Sequence, residues 1–205
     1  MIVNNINKIR NLIKTHWNDP NHDDEFYWIQ IMTRSKDGTV EKGEHVLKTH
    51  VIKNLEYFDR KMDDIIAMCD ETGARAYIHP GHKSMKQIGL MMLTDLAQMI
   101  RQDNFSNLPT LFDSACGQTA GEKIWIIDID TPFVEQEYND MKNYINALEP
   151  IGSDKVIDYV PTVHGYHILT HGFNIQKFTK DHPNIDVHKN NMTLLYVNTE
   201  KFTKV

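Results

Sequence analysis

Two aspartates in the segment KIWIIDIDTP, residues 123–132, follow a run of apolar residues and are the first candidates for chemistry. Successive side chains of a β-strand alternate between its two faces, so we expect Asp128 and Asp130 on one face and Ile127 and Ile129 on the other. Two like charges held side by side repel each other, and a divalent cation is the commonest group that offsets this cost. The spacing therefore favours a cation site at the end of a buried strand.

The elements that must position these aspartates follow a recognisable order. The pattern predicts strands over residues 124–130, 156–162, 166–170 and 192–198, with helices over residues 132–148 and 174–180. This β-α-β-β-α-β order is typical of the ferredoxin-like or RRM-like unit. In that unit the first strand is central, between the third and the fourth, so residues from three strands meet on one face.

That topology brings further polar residues to the two aspartates. His167 lies on the predicted third strand, and Asp186 precedes the predicted fourth. Carboxylates beside an imidazole predict a site for Mg²⁺ or Mn²⁺ with a bound phosphate, because these ions prefer oxygen ligands and leave positions open for phosphate oxygens. The alternative is that the Asp-x-Asp pattern is an ordinary strand end and that His167 simply bonds to the backbone of its hairpin.

Three segments resemble, in order, the three motifs of the archaeo-eukaryotic primase superfamily, the primase-polymerases. They are IWIIDID, PTVHGYHIL and NIDV, within residues 124–187. The family pattern is an apolar strand that ends in two acidic residues, a hairpin with Ser or Thr and Gly that ends in His, and an apolar residue followed by Asp. The resemblance implies that Asp128, Asp130 and Asp186 hold the metal, and that His167, with Thr162 and Gly165 at the hairpin positions, binds the nucleotide triphosphate.

The same resemblance implies a fold and an activity. The expected fold is α+β, with an N-terminal α/β lobe over residues 1–121 packed on an RRM-like lobe over residues 122–205, together one primase-like core. The expected activity is that of a DNA or RNA nucleotidyltransferase with Mg²⁺ or Mn²⁺, a nucleoside triphosphate, and single-stranded or primed nucleic acid as its partners. The sequence is also similar to small proteins of tailed bacteriophages, which carries no activity but implies the host cytoplasm as the location.

The N-terminal lobe contains a second candidate site. In ARAYIHPGHKS, residues 74–84, a predicted short strand with Arg75 leads to Lys83 and Ser84 at the start of a predicted helix. Backbone N–H groups and the helix dipole favour anions at such a point, so these three residues are candidates for binding phosphate or a nucleic-acid backbone. The alternative is ordinary helix capping with solvated charges. Residues 103–121 are predicted to be an irregular connection between the lobes.

The composition limits the classes of function. The net charge of −6 excludes a protein that coats nucleic acid through a general basic surface, so such contacts must be local. The 2 cysteines form no metal or disulfide motif, which favours a reducing cytosol. No apolar run approaches the roughly 20 residues of a membrane span, and the N-terminal residues do not resemble a signal peptide.

Two other functions remain open at this stage. The acidic face is compatible with a metal-dependent phosphodiesterase or nucleotide hydrolase, with His167 as acid or base. An RRM-like lobe also occurs in proteins that bind single-stranded nucleic acid without catalysis. The sequence does not specify DNA, RNA or free nucleotide as the substrate, nor the oligomeric state.

Overall fold

The computed structural model describes residues 1–16, 24–119 and 121–202 and confirms the predicted α+β class. The strands in this part of the chain are β1 (Ile2–Asn4), β2 (Glu25–Arg34), β3 (Glu44–Ile52), β4 (Arg75–Ile78), β5 (Lys83–Ser84), β6 (Trp125–Ile129), β7 (Val156–Pro161), β8 (Tyr166–Thr170), β9 (Asp186–His188) and β10 (Thr193–Asn198). The helices are α1 (Ile6–His16), α2 (Leu55–Thr72), α3 (Met85–Gln102), α4 (Leu111–Gln118), α5 (Glu135–Ala147) and α6 (Ile175–Asp181). Of the helices described, none has the length and apolar character needed to cross a membrane.

The first sheet has the antiparallel order β1-β10-β4-β2-β3, with β5 paired to one end of β2. Its long strand β2 is buried over most of its length because both of its faces are covered there. One face, with Ile29 and Ile31, packs in a core with α1 and α2. The other face, near Phe26, packs on α3 and α4. Further along β2 none of the described helices covers that second face, and there it lines a cleft.

The second sheet has the antiparallel order β7-β8-β6-β9. On β6, Ile127 and Ile129 pack in one core cluster with residues of α5 and α6. Ile126, on the opposite face, belongs to the core of the first sheet. The alternation therefore turns one face of β6 toward its own helices and the other, the face that carries Asp128, toward the first sheet.

The position of the last strand corrects the sequence analysis. Residues 192–198 are predicted as the fourth strand of the second lobe, but β10 lies between β1 and β4 in the first sheet. The fourth position beside β6 is taken by the short strand β9. All six residues of β10 are buried, which suits an interior strand of the larger sheet. The division of the chain between residues 121 and 122 stays a prediction. The strand β10 follows this point in the sequence but belongs to the first sheet.

The connection between the two parts is also more regular than predicted. Residues 103–121 are expected to be irregular, yet the helix α4 lies within them and residue 120 is outside the described chain. The small buried residues Ala115 and Cys116 allow this helix to pack closely against the aromatic side chains of β2. Sequence patterns miss it because it is short and has only a narrow apolar face.

Candidate active site

The middle of β6 places three of the predicted site residues side by side. Asp128 is directly opposite His167 on β8 and directly opposite Asp186 on β9. Residues directly opposite each other on antiparallel strands point to the same face, with Cβ atoms about 4.5–5.5 Å apart. We call His167, Asp128 and Asp186 the Asp128 row.

Hydrogen bonds and nearby charges determine the ionisation of Asp128 and the orientation of His167. The Nε2 atom of His167 lies 3.5 Å from Oδ1 of Asp128, and its Nδ1 atom lies 2.9 Å from Oγ1 of Thr193 on β10. The contact with His167 lowers the pKa of Asp128 against the opposing effect of partial burial, and the nearby charge of His188 adds to the lowering. Asp128 is therefore a carboxylate at neutral pH, and a strand of the first sheet orients the imidazole beside it.

The hairpin between β7 and β8 closes one end of the row. The amide nitrogen of Gly165 donates to Oγ1 of Thr162 at 3.1 Å, which holds the turn. A Cβ atom at position 165 would collide with the carbonyl oxygen of Ile129, so only glycine permits this approach. Thr162 lines the cleft, as does Asp130, which is exposed just beyond the end of β6. Gly165 thus shapes the site through the backbone, and Thr162 faces the space beside the aspartates.

The Asp128 row forms one wall of a cleft of about 730 Å³ between the two sheets. This volume is within the usual range of about 300–1,000 Å³ for small-molecule sites. The opposite wall carries Arg34, Lys36 and Arg75. Arg34 pairs with Glu44 at 2.8 Å, and Arg75 binds the carboxylate of Asp37 through two of its nitrogens.

Among those three basic residues, Lys36 differs in its contacts. It is exposed at the cleft and has no ion-pair partner within the described residues. An acidic wall therefore faces a basic wall, and the basic wall retains one uncommitted positive charge. Such a cleft suits an anionic ligand that a cation bridges to the carboxylates.

The second predicted site, at the start of α3, has a different character. Lys83 is 0% exposed, its ammonium group donates to the carbonyl oxygen of Thr119 at 2.9 Å, and burial lowers its pKa. The hydroxyl group of Ser84 donates to Asp24, whose other carboxylate oxygen accepts from the amide nitrogen of Lys86 at 2.9 Å. A carboxylate of the chain itself thus occupies the helix N-terminus, and we leave Lys83 and Ser84 out of the proposed site. Of the three candidates there, Arg75 alone lines the cleft.

The side chain of Asn190 connects this region to the strand β9. Its Oδ1 atom lies 2.9 Å from Nε2 of His79 and 3.4 Å from Nζ of Lys83, and its Nδ2 atom donates to the carbonyl oxygen of Gly117 at 2.7 Å. We call His79, Lys83 and Asn190 the His79 cluster. It ties the loop after Asp186 and His188 to the first sheet and so fixes one wall of the cleft.

Sequence analysis missed several residues that line the cleft. His188 lies two residues after Asp186 on β9, and Gln30 and Trp28 lie on β2. The period-two spacing of Asp186 and His188 was a usable signal for a shared face. Gln30 could also have been found from the sequence, because it is a polar residue in the middle of the apolar segment FYWIQIM. The exposed turn residue His164 lines the cleft as well.

The donor set limits what kind of metal ion these residues could hold. Within the described residues, no group of three or more His, Cys, Asp or Glu side chains is arranged to hold a metal ion by itself. Mg²⁺ usually keeps several waters and is bound by one or two carboxylates together with substrate phosphates. Asp128, Asp186 and Asp130 offer hard oxygen ligands at one wall of the cleft, and this donor set fits an ion that binds together with a phosphate ligand.

Comparison with known proteins adds no relative to this description. No protein-family model matches the chain, no curated protein matches it, and no solved structure matches it.

Proposed function

We propose that this protein is a metal-dependent nucleotidyltransferase of the primase-polymerase type, which adds nucleotides from a nucleoside triphosphate to nucleic acid. The observation that carries the proposal is the strand register, which puts Asp128 between His167 and Asp186 on the wall of a cleft. The three residues come from separate parts of the sequence, and each had been singled out by its motif. The basic wall opposite them supports an anionic ligand.

Each residue has a distinct task in this proposal. Asp128, Asp130 and Asp186 would hold Mg²⁺ or Mn²⁺, which when bound neutralises phosphate charge and orients the attacking hydroxyl oxygen. His167 is held by Thr193 so that its Nε2 side faces the carboxylate wall, where it donates to a phosphate oxygen. Lys36 and the two arginines of the opposite wall attract the triphosphate and limit its position in the cleft.

The pair formed by His167 and Asp128 also favours a second candidate function. An imidazole 3.5 Å from a carboxylate is an arrangement suited to general acid or base catalysis, as in a metal-dependent phosphodiesterase. The two functions differ in their product. The nucleotidyltransferase extends a labelled primer with a nucleoside triphosphate, whereas the phosphodiesterase degrades labelled dinucleotides without one.

The decisive experiment compares the native protein with the double variant Asp128→Ala, Asp130→Ala. We expect the double variant to lose nucleotide incorporation by at least about 10³-fold, because it lacks the charge stabilisation of the metal. Calorimetry with Mn²⁺ should show tighter binding when the nucleoside triphosphate is present, and only in the native protein.

The matched control is Asp63→Ala, which removes an exposed carboxylate of α2 away from the cleft. It should incorporate nucleotides at the native rate. Thermal melts of all three proteins should agree within a few degrees, which separates lost chemistry from lost folding. Full incorporation by the double variant would refute the proposed function.

A further inference from the structure

Two polar groups on the floor of the cleft have no partner within the described chain. Trp28 and Gln30 are each 6% exposed, and both line the cleft. The Nε1 atom of Trp28 is fully buried, without a hydrogen-bond partner in the described residues. The amide of Gln30 has no partner there either, but its atoms are not among the fully buried ones, so a ligand in the cleft can reach it. Buried polar groups in folded proteins are nearly always hydrogen-bonded, so an unpaired group at a ligand cleft calls for an explanation.

The strand geometry puts these two groups on one surface. Trp28 and Gln30 are two residues apart on β2 and therefore point to the same face. Tyr77 of β4 is directly opposite Gln30 and also lines the cleft. A planar amide thus lies beside aromatic side chains at the bottom of the cleft, whereas the charged groups lie on its walls.

The chemistry of this floor suits one class of ligand group. The Gln30 amide offers both a donor and an acceptor to a ligand in the cleft. The edge of a nucleobase carries donors and acceptors in this kind of arrangement, and Gln side chains pair with such edges through two hydrogen bonds. The neighbouring aromatic ring of Tyr77 gives a flat base a surface for stacking.

We propose that Gln30 recognises the edge of the nucleobase of the nucleotide bound in the cleft. The inference rests on the proposed function in one respect, namely that the phosphates of the same nucleotide lie between the charged walls. It adds a specificity determinant, because a site with built-in hydrogen-bonding groups rejects a ligand that leaves them unpaired.

The test measures binding without catalysis. Calorimetry with Mg²⁺ compares ATP, GTP, CTP and UTP with inorganic tripolyphosphate, which has the charge but no base. We expect the native protein to prefer one base over the weakest by at least about tenfold and to bind every nucleotide more tightly than tripolyphosphate. In Gln30→Met, which keeps the length of the side chain, we expect the preference among bases to fall to within about twofold to threefold.

Two further variants separate recognition from folding. Trp28→Phe keeps an aromatic ring but removes the N–H and one ring of the indole; because that N–H has no surface in the cleft, the preference among the four bases and the binding of tripolyphosphate should stay unchanged. Gln98→Met, on the exposed surface of α3, should match the native protein in every measurement. Thermal melts of each variant establish that it is folded before its binding is compared.

Each result supports or overturns the inference independently of the proposed activity. A base preference that disappears in Gln30→Met supports it, even if no nucleotide is ever incorporated into nucleic acid. Equal affinity of the native protein for all four nucleotides and tripolyphosphate overturns it, even if incorporation is observed. An unchanged base preference in Gln30→Met, loss of tripolyphosphate binding in that variant, or no nucleotide binding by the native protein overturns it as well.

Discussion

The Asp128 row and the His79 cluster each combine a histidine with other polar or charged side chains, but the structure uses them in opposite ways. In the row, the side chain of Asp128 is 33% exposed and faces an open cleft. In the cluster, His79 is 2% and Lys83 0% exposed, and both bond to groups of the protein itself. The difference teaches that binding capacity depends on the polar atoms that remain available after folding, and not on residue type.

This comparison implies a division between residues that stabilise the fold and residues that serve activity. Loss of a residue from the His79 cluster should lower stability, whereas loss of a residue from the Asp128 row should lower activity and leave stability nearly unchanged. Three predictions test this division, beginning with the largest expected change in the free energy of unfolding.

The largest effect is expected from acid acting on His79. Burial and the nearby positive charges of Lys83 and His82 lower the pKa of His79 from 6.5 to about 4. Because the folded protein binds this proton less readily than the unfolded chain, the stabilisation is complete above pH 6.5 and is lost as the pH falls toward 4. The free energy of unfolding, measured by urea titration, should drop by about 3 kcal/mol over that interval.

The variant His79→Gln removes this titrating group and should reduce the pH dependence to the smaller part that comes from other groups, such as buried His50, whose pKa burial also lowers. The control His164→Gln alters an exposed histidine in the cleft and should retain the native pH dependence. If His79→Gln and the native protein lose stability in parallel between pH 6.5 and 4, the cluster does not carry the effect.

An intermediate effect is expected from Asn190→Ala. This change removes the partner of His79, of the Lys83 ammonium group and of the Gly117 carbonyl oxygen at once. Unpaired buried polar groups are costly, so we expect a loss of about 2 kcal/mol in the free energy of unfolding. The neighbouring Asn191→Ala, which removes one hydrogen bond to the backbone of Met192, should cost less than about 1 kcal/mol. Equal losses in the two variants would argue against a special role for the cluster.

The smallest effect on stability is expected from Asp128→Asn. The carboxylate is partly exposed and its contact with His167 is 3.5 Å long, so we expect a change within about 1 kcal/mol in the free energy of unfolding. Nucleotide incorporation by the same variant should nevertheless fall sharply. A loss of more than about 2 kcal/mol would place Asp128 with the residues that hold the fold and would end the contrast between the two regions.

Much of the fold could be predicted because local patterns determine it. The caps illustrate this, since Asn54 accepts from the amide nitrogen of Tyr57 at the start of α2, and Gly73 with φ of 65° ends that helix. The meeting of Asp128 and His167 was predictable too, because the β-α-β-β-α-β order puts the third strand beside the first. Asp186 joins them through β9, a strand that was not predicted.

The parts that could not be predicted depend on long-range pairing. Both β9 and β10 are short and separated by four residues, and nothing local indicates that they belong to different sheets. The burial of Lys83 could not be predicted from the sequence either, because its partner Asn190 lies 107 residues away. Similarly, the importance of Gln30 depends on which part of β2 the helices leave uncovered.

The placement of β10 also affects how the protein is made. Because this strand joins β1 to β4, the first sheet begins at residue 2 and is incomplete until residue 198 has been translated. At typical rates of synthesis that interval is roughly 10 to 40 seconds. Until then β1, and β4 once it has been made, each have an unpaired edge, which is filled by β10, the last of the described strands along the chain.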